Sequence, residues 1–401
     1  MAAELQFEEA KAFYAYNTSD GRFVNSTCPP NPPADVADYF RETVLSMYPG
    51  LVLFNFVIET VFVGLLCAIG FVGNLLSFIV LWKDRSQSTT NFLLQALAIA
   101  DTLLLIDCIM VMTLRSIYPY LGILKSYYQS MPYMMPYLWP FAMMAQTITN
   151  WLVILVTIER YIVVCKPLRA MRWCTKQKAK RGVTLVFILA IIYSIPRFFE
   201  FKVIVFTNIC ANNQTYALRE DTSLRINPIF NISYRIILYF LLIAVGPVVI
   251  LVILNFKLIR ALHKAQRERI ILTRSRSTKG QQSQAGNTTV IVAVVTQFII
   301  CQMPALVHQV LEWSHLPINH TAQSYSVAVS NMLVAFNSST NFFIYCLFGR
   351  KFRSILIRLL CGSTSKSSFV SRHFNSLTHH SMSIYKAEFS AVSQVENGEC
   401  V

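Results

Sequence analysis

The sequence predicts an all-α membrane protein, a bundle of seven transmembrane helices followed by a short amphipathic helix on the membrane surface. Three observations predict it. Of 401 residues, 54% are hydrophobic and only 14% charged, too little polar surface for a soluble chain of this length. The apolar residues gather into seven runs, each long enough to cross hydrocarbon as a helix. The lysines and arginines, which give a net charge of +15, cluster between and after those runs in a pattern that defines one orientation.

The runs lie near Leu51 to Trp82, Phe92 to Arg115, Pro136 to Val164, Gly182 to Phe199, Ile232 to Ile259, Val290 to Trp313 and Ser326 to Phe348. An unbroken stretch such as Ile236 to Leu254 excludes a closed β-barrel, whose strands would alternate in short segments. In lipid only a helix satisfies its backbone within one such run. Lys83 and Arg85 follow the first run, and Lys166, Arg169, Arg172 and Lys176 follow the third. Arg260, Lys264 and Arg267 follow the fifth, and Arg350, Lys351 and Arg353 the seventh. These segments are expected on the cytoplasmic side of the plasma membrane. The acidic amino terminus, with Glu4, Glu8, Glu9, Asp20, Asp35, Asp38 and Glu42, is then expected outside. The bases flank spans rather than a nucleic-acid-binding fold, so contact with anionic membrane lipid is expected and nucleic acid is not.

Residues 1–50 read as an extracellular, largely disordered tail broken by Pro29, Pro30, Pro32 and Pro33. No signal peptide is read in it, because Met1 to Ala10 is acidic and lacks an apolar core. Residues 51–348 form the seven-helix domain. In 349–361, Phe352, Ile355, Leu356, Leu359 and Leu360 recur at helical spacing between bases, as in a surface helix. Cys361 could carry a palmitoyl chain at its end. Residues 362–401 are a Ser/Thr-rich cytoplasmic tail, an expected substrate for kinases and, with them, arrestin. Sequons at Asn17, Asn25, Asn213 and Asn319 all fall on outside segments and are expected glycosylation sites; those at Asn287 and Asn337 fall on an inside loop and a helix.

Polar residues inside spans are costly unless they pair or line a wet cavity. Asn74, Asp101, Thr149, Asn150, Asn337, Ser338, Ser339 and Asn341 are such residues. Asn and Ser also join helices by simple hydrogen bonds, a structural role that competes with a functional one. Glu159-Arg160-Tyr161 ends the third run, where a guanidinium could exchange between its carboxylate neighbour and a partner. Pro196, Pro247 and Pro304 each remove a backbone donor and can kink a helix.

Taken together, Gly73-Asn74, Leu97 to Asp101, Glu159-Arg160-Tyr161, Pro247, Cys301 with Pro304, and Asn341 to Tyr345 resemble the rhodopsin-like G-protein-coupled receptors over roughly Leu51 to Cys361. The local wording of Tyr137-Leu138-Trp139-Pro140, Ile195 to Glu200, Gly246-Pro247 and Asn337 to Tyr345 is similar to the FMRFamide-type neuropeptide receptors of invertebrates. That resemblance implies a secreted, amidated RFamide-type peptide as agonist and a heterotrimeric G protein as partner. It also implies a sodium or water pocket made by Asn74, Asp101, Thr149, Asn337, Ser338 and Asn341. An activation switch would comprise Glu159, Arg160, Tyr161, Cys301, Gln302, Pro304, Asn341 and Tyr345. Two departures stand out: Phe342 replaces the proline of the seventh-helix motif, so that helix is expected to kink less, and Gln302 replaces the sixth-helix tryptophan.

The resemblance further implies a disulfide from the outer end of helix three to Cys210. Where the helix-three cysteine belongs, the chain reads Met134, Met135 and Pro136. A Cys28 to Cys210 bridge and two free thiols both remain open. Amine receptors of the class carry an Asp where this chain has Ala142, and opsins need a Lys in helix seven that is absent between Ser326 and Phe348. A cationic, aromatic peptide end would want carboxylates and ring faces in the outer half of the bundle. Asp107, Glu59, Glu200 and Glu312 offer the former, and Tyr137, Trp139 and Trp313 the latter. Asp107, six residues beyond Asp101, is the first candidate. The competing uses are an Arg197 to Glu200 pair, interfacial Glu59 and Glu312, and an aromatic belt. No metal site, no catalytic constellation and no cofactor beyond a sodium ion near Asp101 is expected. A helical ion or solute transporter is the rival class, through Asp101 and Asp107.

Overall fold

The computed structural model describes residues 35–84, 88–208, 214–272, 279–313 and 320–361. The sequons at Asn17, Asn25, Asn213 and Asn319, both Cys28 and Cys210, and the 362–401 tail lie outside the described residues, as do the side chains of Glu312, Trp313 and Cys361.

A first helix, α1 (Val36–Met47), precedes the bundle. It lies in the segment expected to be disordered, and for these residues that expectation is corrected. Asp35 caps the helix, its carboxylate accepting from the amides of Ala37 at 2.8 Å and Asp38 at 3.4 Å. Phe40 is buried one turn in.

The bundle helices are α2 (Pro49–Lys83), α3 (Thr89–Leu121), α4 (Lys125–Cys165), α6 (Lys176–Phe199) and α7 (Pro228–Ala261), then α8 (Lys279–Trp313) and α9 (His320–Phe348). A short α5 (Pro167–Trp173) joins α4 to α6. Among the described residues six of the helices are long and apolar enough to cross a membrane alone, and α9, richer in Ser, Thr and Asn, meets that measure only together with α10. α10 (Arg350–Cys361) leaves α9 at a bend of 97°. Arg353 holds the bend by donating to the carbonyls of Cys346 at 2.8 Å and Leu347 at 2.6 Å, which end α9 without helical partners. α9 runs unbroken through Phe342, whose ring meets that of Phe352 in α10.

α4 is the hub, packing on α3, α6, α7 and α8. Its 41 residues span about 60 Å, twice the hydrocarbon thickness of about 30 Å. Leu152 of α4 lies in the core with Leu93 and Leu97 of α3, Leu251 of α7 and Ile291, Val295 and Phe298 of α8. At one end of the bundle, an antiparallel hairpin of β1 (Phe201–Asn208) and β2 (Gln214–Asp221) packs on α4, in register from Phe201 opposite Asp221. We call this the hairpin end; the opposite, basic end carries Lys83, Lys166 and Lys351.

Three of the spans contain π-type turns near the hairpin end, at Phe56–Phe62, Ile109–Thr113 and, in α7, Asn231–Leu238 and Phe240–Ala244. Wide turns leave carbonyls without helical donors, and neighbouring helices supply them. Thr60 donates to the Thr113 carbonyl at 3.2 Å and Thr113 to the Glu59 carbonyl at 3.0 Å, so α2 and α3 strap one another. In α7 the bulge is written into Gly246-Pro247. A Cβ at Gly246 would lie 1.8 Å from the Leu241 carbonyl oxygen, so only glycine fits. Pro247 brings no N–H, and α4 answers: Asn150 donates to the Ile243 carbonyl at 3.1 Å and Trp151 to that of Leu242 at 2.9 Å. Pro196 ends α6 in a tight turn rather than kinking its middle, whereas Pro304 lies inside α8.

Candidate functional site

Three levels of the bundle hold its buried polar residues. At mid-depth, Asp101 of α3 is fully buried. One carboxylate oxygen accepts from Asn341 of α9 at 2.7 Å and the other from Thr149 of α4 at 3.4 Å. The structure therefore brings Asp101, Thr149 and Asn341 together from three helices. Asn74 sits one step away, donating to the Ser338 carbonyl at 3.1 Å. Asn337 joins through its backbone, whose carbonyl accepts from Gln297 at 3.3 Å. Asn341 Oδ1 and Ser338 Oγ are buried and unpartnered among the described residues.

At the basic end, Glu159 and Arg160 are both buried, with Arg160 Nε 3.2 Å from a Glu159 oxygen. Thr90 of α3 donates to both Glu159 oxygens, at 3.0 and 3.1 Å, and so fixes the carboxylate against α3. Tyr161 is half-buried. Tyr345 is buried, its ring 5.5 Å from that of Phe352. Cys301 and Gln302 are buried in α8 beside Pro304. On α5, next to this pair, Leu168 is 89% and Met171 85% exposed. The sequence reading did not single them out; their signal is apolar residues interleaved with Arg169 and Arg172. A cavity also opens at this end, lined by Asp84, Thr90, Val290, Tyr345, Lys351 and Phe352. Lys351 closes one side, pairing with Asp84 at 2.8 Å.

At the hairpin end the candidate ligand carboxylates separate. Glu200 is wholly buried and ringed by counter-charges, with Arg225 at 3.1 Å, Arg197 at 3.7 Å and Arg235 at 3.9 Å. Arg197 in turn lies over the rings of Tyr193, Tyr234 and Tyr239 and donates to the Tyr193 hydroxyl at 3.1 Å. Glu200 thus joins α6, the 223–226 turn that follows the hairpin, and α7. The Arg197 pairing that competed with the ligand role is the one the structure contains. Glu59 is buried beside Arg115 at 3.5 Å and accepts from the Ser116 hydroxyl. Asp107 differs from both: it is 9% exposed and has no ion pair or hydrogen bond among the described residues. Tyr137 is exposed and Trp139 half-buried.

The far end of α4 is held by α1. Lys125 pairs with Asp35 and Asp38, and the bond from its ammonium, with that from the Tyr118 hydroxyl, holds the Asp38 carboxyl below its ordinary value.

Comparison with known proteins agrees with this architecture. The family model "7 transmembrane receptor (rhodopsin family)" matches residues 73–345, the stretch from Gly73 to Tyr345 that contains Asp101, Arg160 and Asn341. The FMRFamide receptor of Drosophila melanogaster is 32% identical over 302 residues, 74% of this chain and 52% of the relative. The FMRFamide peptide receptor frpr-18 of Caenorhabditis elegans is 29% identical over 299 residues, 73% of this chain and 66% of the relative. The sex peptide receptor of Drosophila melanogaster is 26% identical over 321 residues, 74% of this chain and 71% of the relative. The match thus spans about half the length of the first relative and just under two thirds of the second. With Asp101 bound to Asn341, Arg160 paired with Glu159, and a family match that covers five of the seven crossings whole and parts of the first and the seventh, the chain belongs to the rhodopsin family of seven-transmembrane receptors.

Proposed function

We propose that the chain is a plasma-membrane receptor, amino terminus outside, that couples an extracellular amidated peptide with a cationic, aromatic end to a heterotrimeric G protein. The observation that carries this reading is Asp107, a buried carboxylate left without a partner in the half of the bundle toward the hairpin end. A buried carboxyl without a partner is costly to ionise, and a guanidinium or ammonium of an entering ligand would stabilise its charged form. The resemblance to two FMRFamide receptors supports the ligand class.

Asp107 lies six residues from Asp101 on α3, about 9 Å along the helix. Cation binding there would be felt at the polar centre through one rigid element. A sodium ion fits that centre: Asp101 would supply the charge, and Thr149, Ser338 and Asn341 oxygen ligands, two of them without other partners. When bound, the ion would balance the Asp101 charge. At the basic end, parting of Glu159 and Arg160 would free the guanidinium for the G protein, with Leu168 and Met171 offering apolar contact beside it. Receptor kinases and arrestin would act on the Ser/Thr-rich tail.

The test is expression in cells that lack related receptors, with a panel of amidated peptides and a G-protein activation readout. Activation by peptides ending in Arg-Phe-amide, and loss of activation on replacing that Arg, is the expected result. Silence across the panel with surface expression confirmed, or solute flux without G-protein activation, overturns the reading.

A further inference from the structure

Helix α4 contains no cysteine before Cys165 at its basic end, so no disulfide can tether its far end. Polar contacts to α1 hold that end instead. Lys125 Nζ lies 2.5 Å from Asp35 Oδ2 and 2.6 Å from Asp38 Oδ2. The Tyr118 hydroxyl donates to the other Asp38 oxygen at 2.6 Å. Arg41 donates from Nε to the Tyr118 carbonyl and from Nη2 to the Tyr120 carbonyl, both at 3.2 Å. Every one of these contacts joins residues far apart in sequence, from α1 to the junction of α3 with α4.

The junction needs such a hold. Gly122 takes a left-handed conformation at φ 73°, and Leu124, which carries a side chain, does so at φ 62°, a state that persists only where its surroundings impose it. The Arg41 guanidinium lies directly against Gly122, where a Cβ would meet it at 3.3 Å. Tyr118 is 1% exposed, with its ring 4.9 Å from that of Tyr128 in the first turn of α4. A lone exposed ion pair contributes little. Here one ammonium is shared by two carboxylates, one of which is also bound by a buried hydroxyl, and such networks strengthen their members.

We infer that Asp35, Asp38 and Arg41, with Tyr118 and Lys125, form a non-covalent clasp that positions the outer end of α4 at the rim of the peptide site. That the rim belongs to a peptide site rests on the receptor reading; the clasp itself does not. The clasp residues act through α4 and the strained turn, so they are positioning residues rather than ligand contacts.

Hydrogen exchange over residues 117–128 in the purified full chain, without peptide, tests the clasp directly. Relative to the native chain, Lys125→Asp should exchange about tenfold faster there, because three carboxylates then face one another. The exchanged pair, Lys125→Asp with Asp38→Lys, should restore protection, and Lys125→Arg should keep it. Should Lys125→Asp not fold, Arg41→Gln removes two donors without creating like charges and should raise exchange about threefold. In cells, potency toward an Arg-Phe-amide peptide should fall with Lys125→Asp and recover in the exchanged pair. Unchanged exchange in both Lys125→Asp and Arg41→Gln, or no recovery in the exchanged pair, overturns the clasp. Exchange that follows the expected pattern while no peptide acts on any variant upholds the clasp and removes the peptide reading alone.

Discussion

Asp107 and Glu200 lie toward the same end of the bundle, and both carboxylates are withdrawn from solvent, yet their surroundings are opposite. Glu200 meets three guanidiniums at 3.1, 3.7 and 3.9 Å. Asp107 meets none, and no hydrogen-bond donor reaches it among the described residues. Burial alone therefore does not distinguish a carboxylate with counter-charges from one without them. The count of partners does, because a buried charge that already has its counter-charges has nothing to gain from a ligand, while one without them has much to gain. Glu59 stands between the two, with one half-exposed arginine and one hydroxyl.

This ordering can be broken by neutralising each carboxylate in turn. Glu200→Gln should have the largest effect on stability, a loss of about 3 kcal/mol, because buried Arg197 loses its counter-charge while the partly exposed Arg225 and Arg235 remain beside it. A lowered midpoint of thermal unfolding in detergent would report it, and an unchanged midpoint would show that the arginines are satisfied without Glu200. Glu59→Gln should cost about 1 kcal/mol on the same scale, since Arg115 is 40% exposed and can turn to solvent. Asp107→Asn should leave the midpoint unchanged or raise it slightly, the signature of a side chain that held nothing in place.

A smaller effect is expected at Asp38, where pH rather than mutation is the lever. Its folded value is held below the ordinary 3.8 by Lys125 and Tyr118, so the stabilisation is fully present above that range and is lost as pH falls through the lower folded value. Protection of the 117–128 amides should thus be flat from neutral pH down to about pH 4 and decline below it. A decline centred near neutral pH would point to a different group.

The seven spans were legible because lipid leaves a long apolar run one solution, the helix. Asp101 with Asn341, and Glu159 with Arg160, were legible for the converse reason, that a polar side chain at such depth must find a partner. What the sequence concealed depends on which residues meet across long separations. The partners of Glu200 include Arg225 and Arg235, on the far side of a hairpin whose pairing brings them back. The donors for the α7 bulge are Asn150 and Trp151, from a helix nearly a hundred residues earlier. Helix α1 left a local trace, an Asp cap followed by Val36, Phe40 and Val44 at four-residue spacing, but the prolines and acidic residues around it read as a tail. Its docking partner, Lys125, lies beyond two spans.

Whether Asp107 pairs with the cationic group of the ligand, as proposed above, is decided by a double-mutant cycle. Activation is measured for the native chain and Asp107→Asn, each with an Arg-Phe-amide peptide and with the same peptide carrying citrulline in place of that Arg. Either change alone should lower potency, and the second should add little to the first, a coupling of about 1–3 kcal/mol. Losses that simply add, to within about 0.5 kcal/mol, would contradict it.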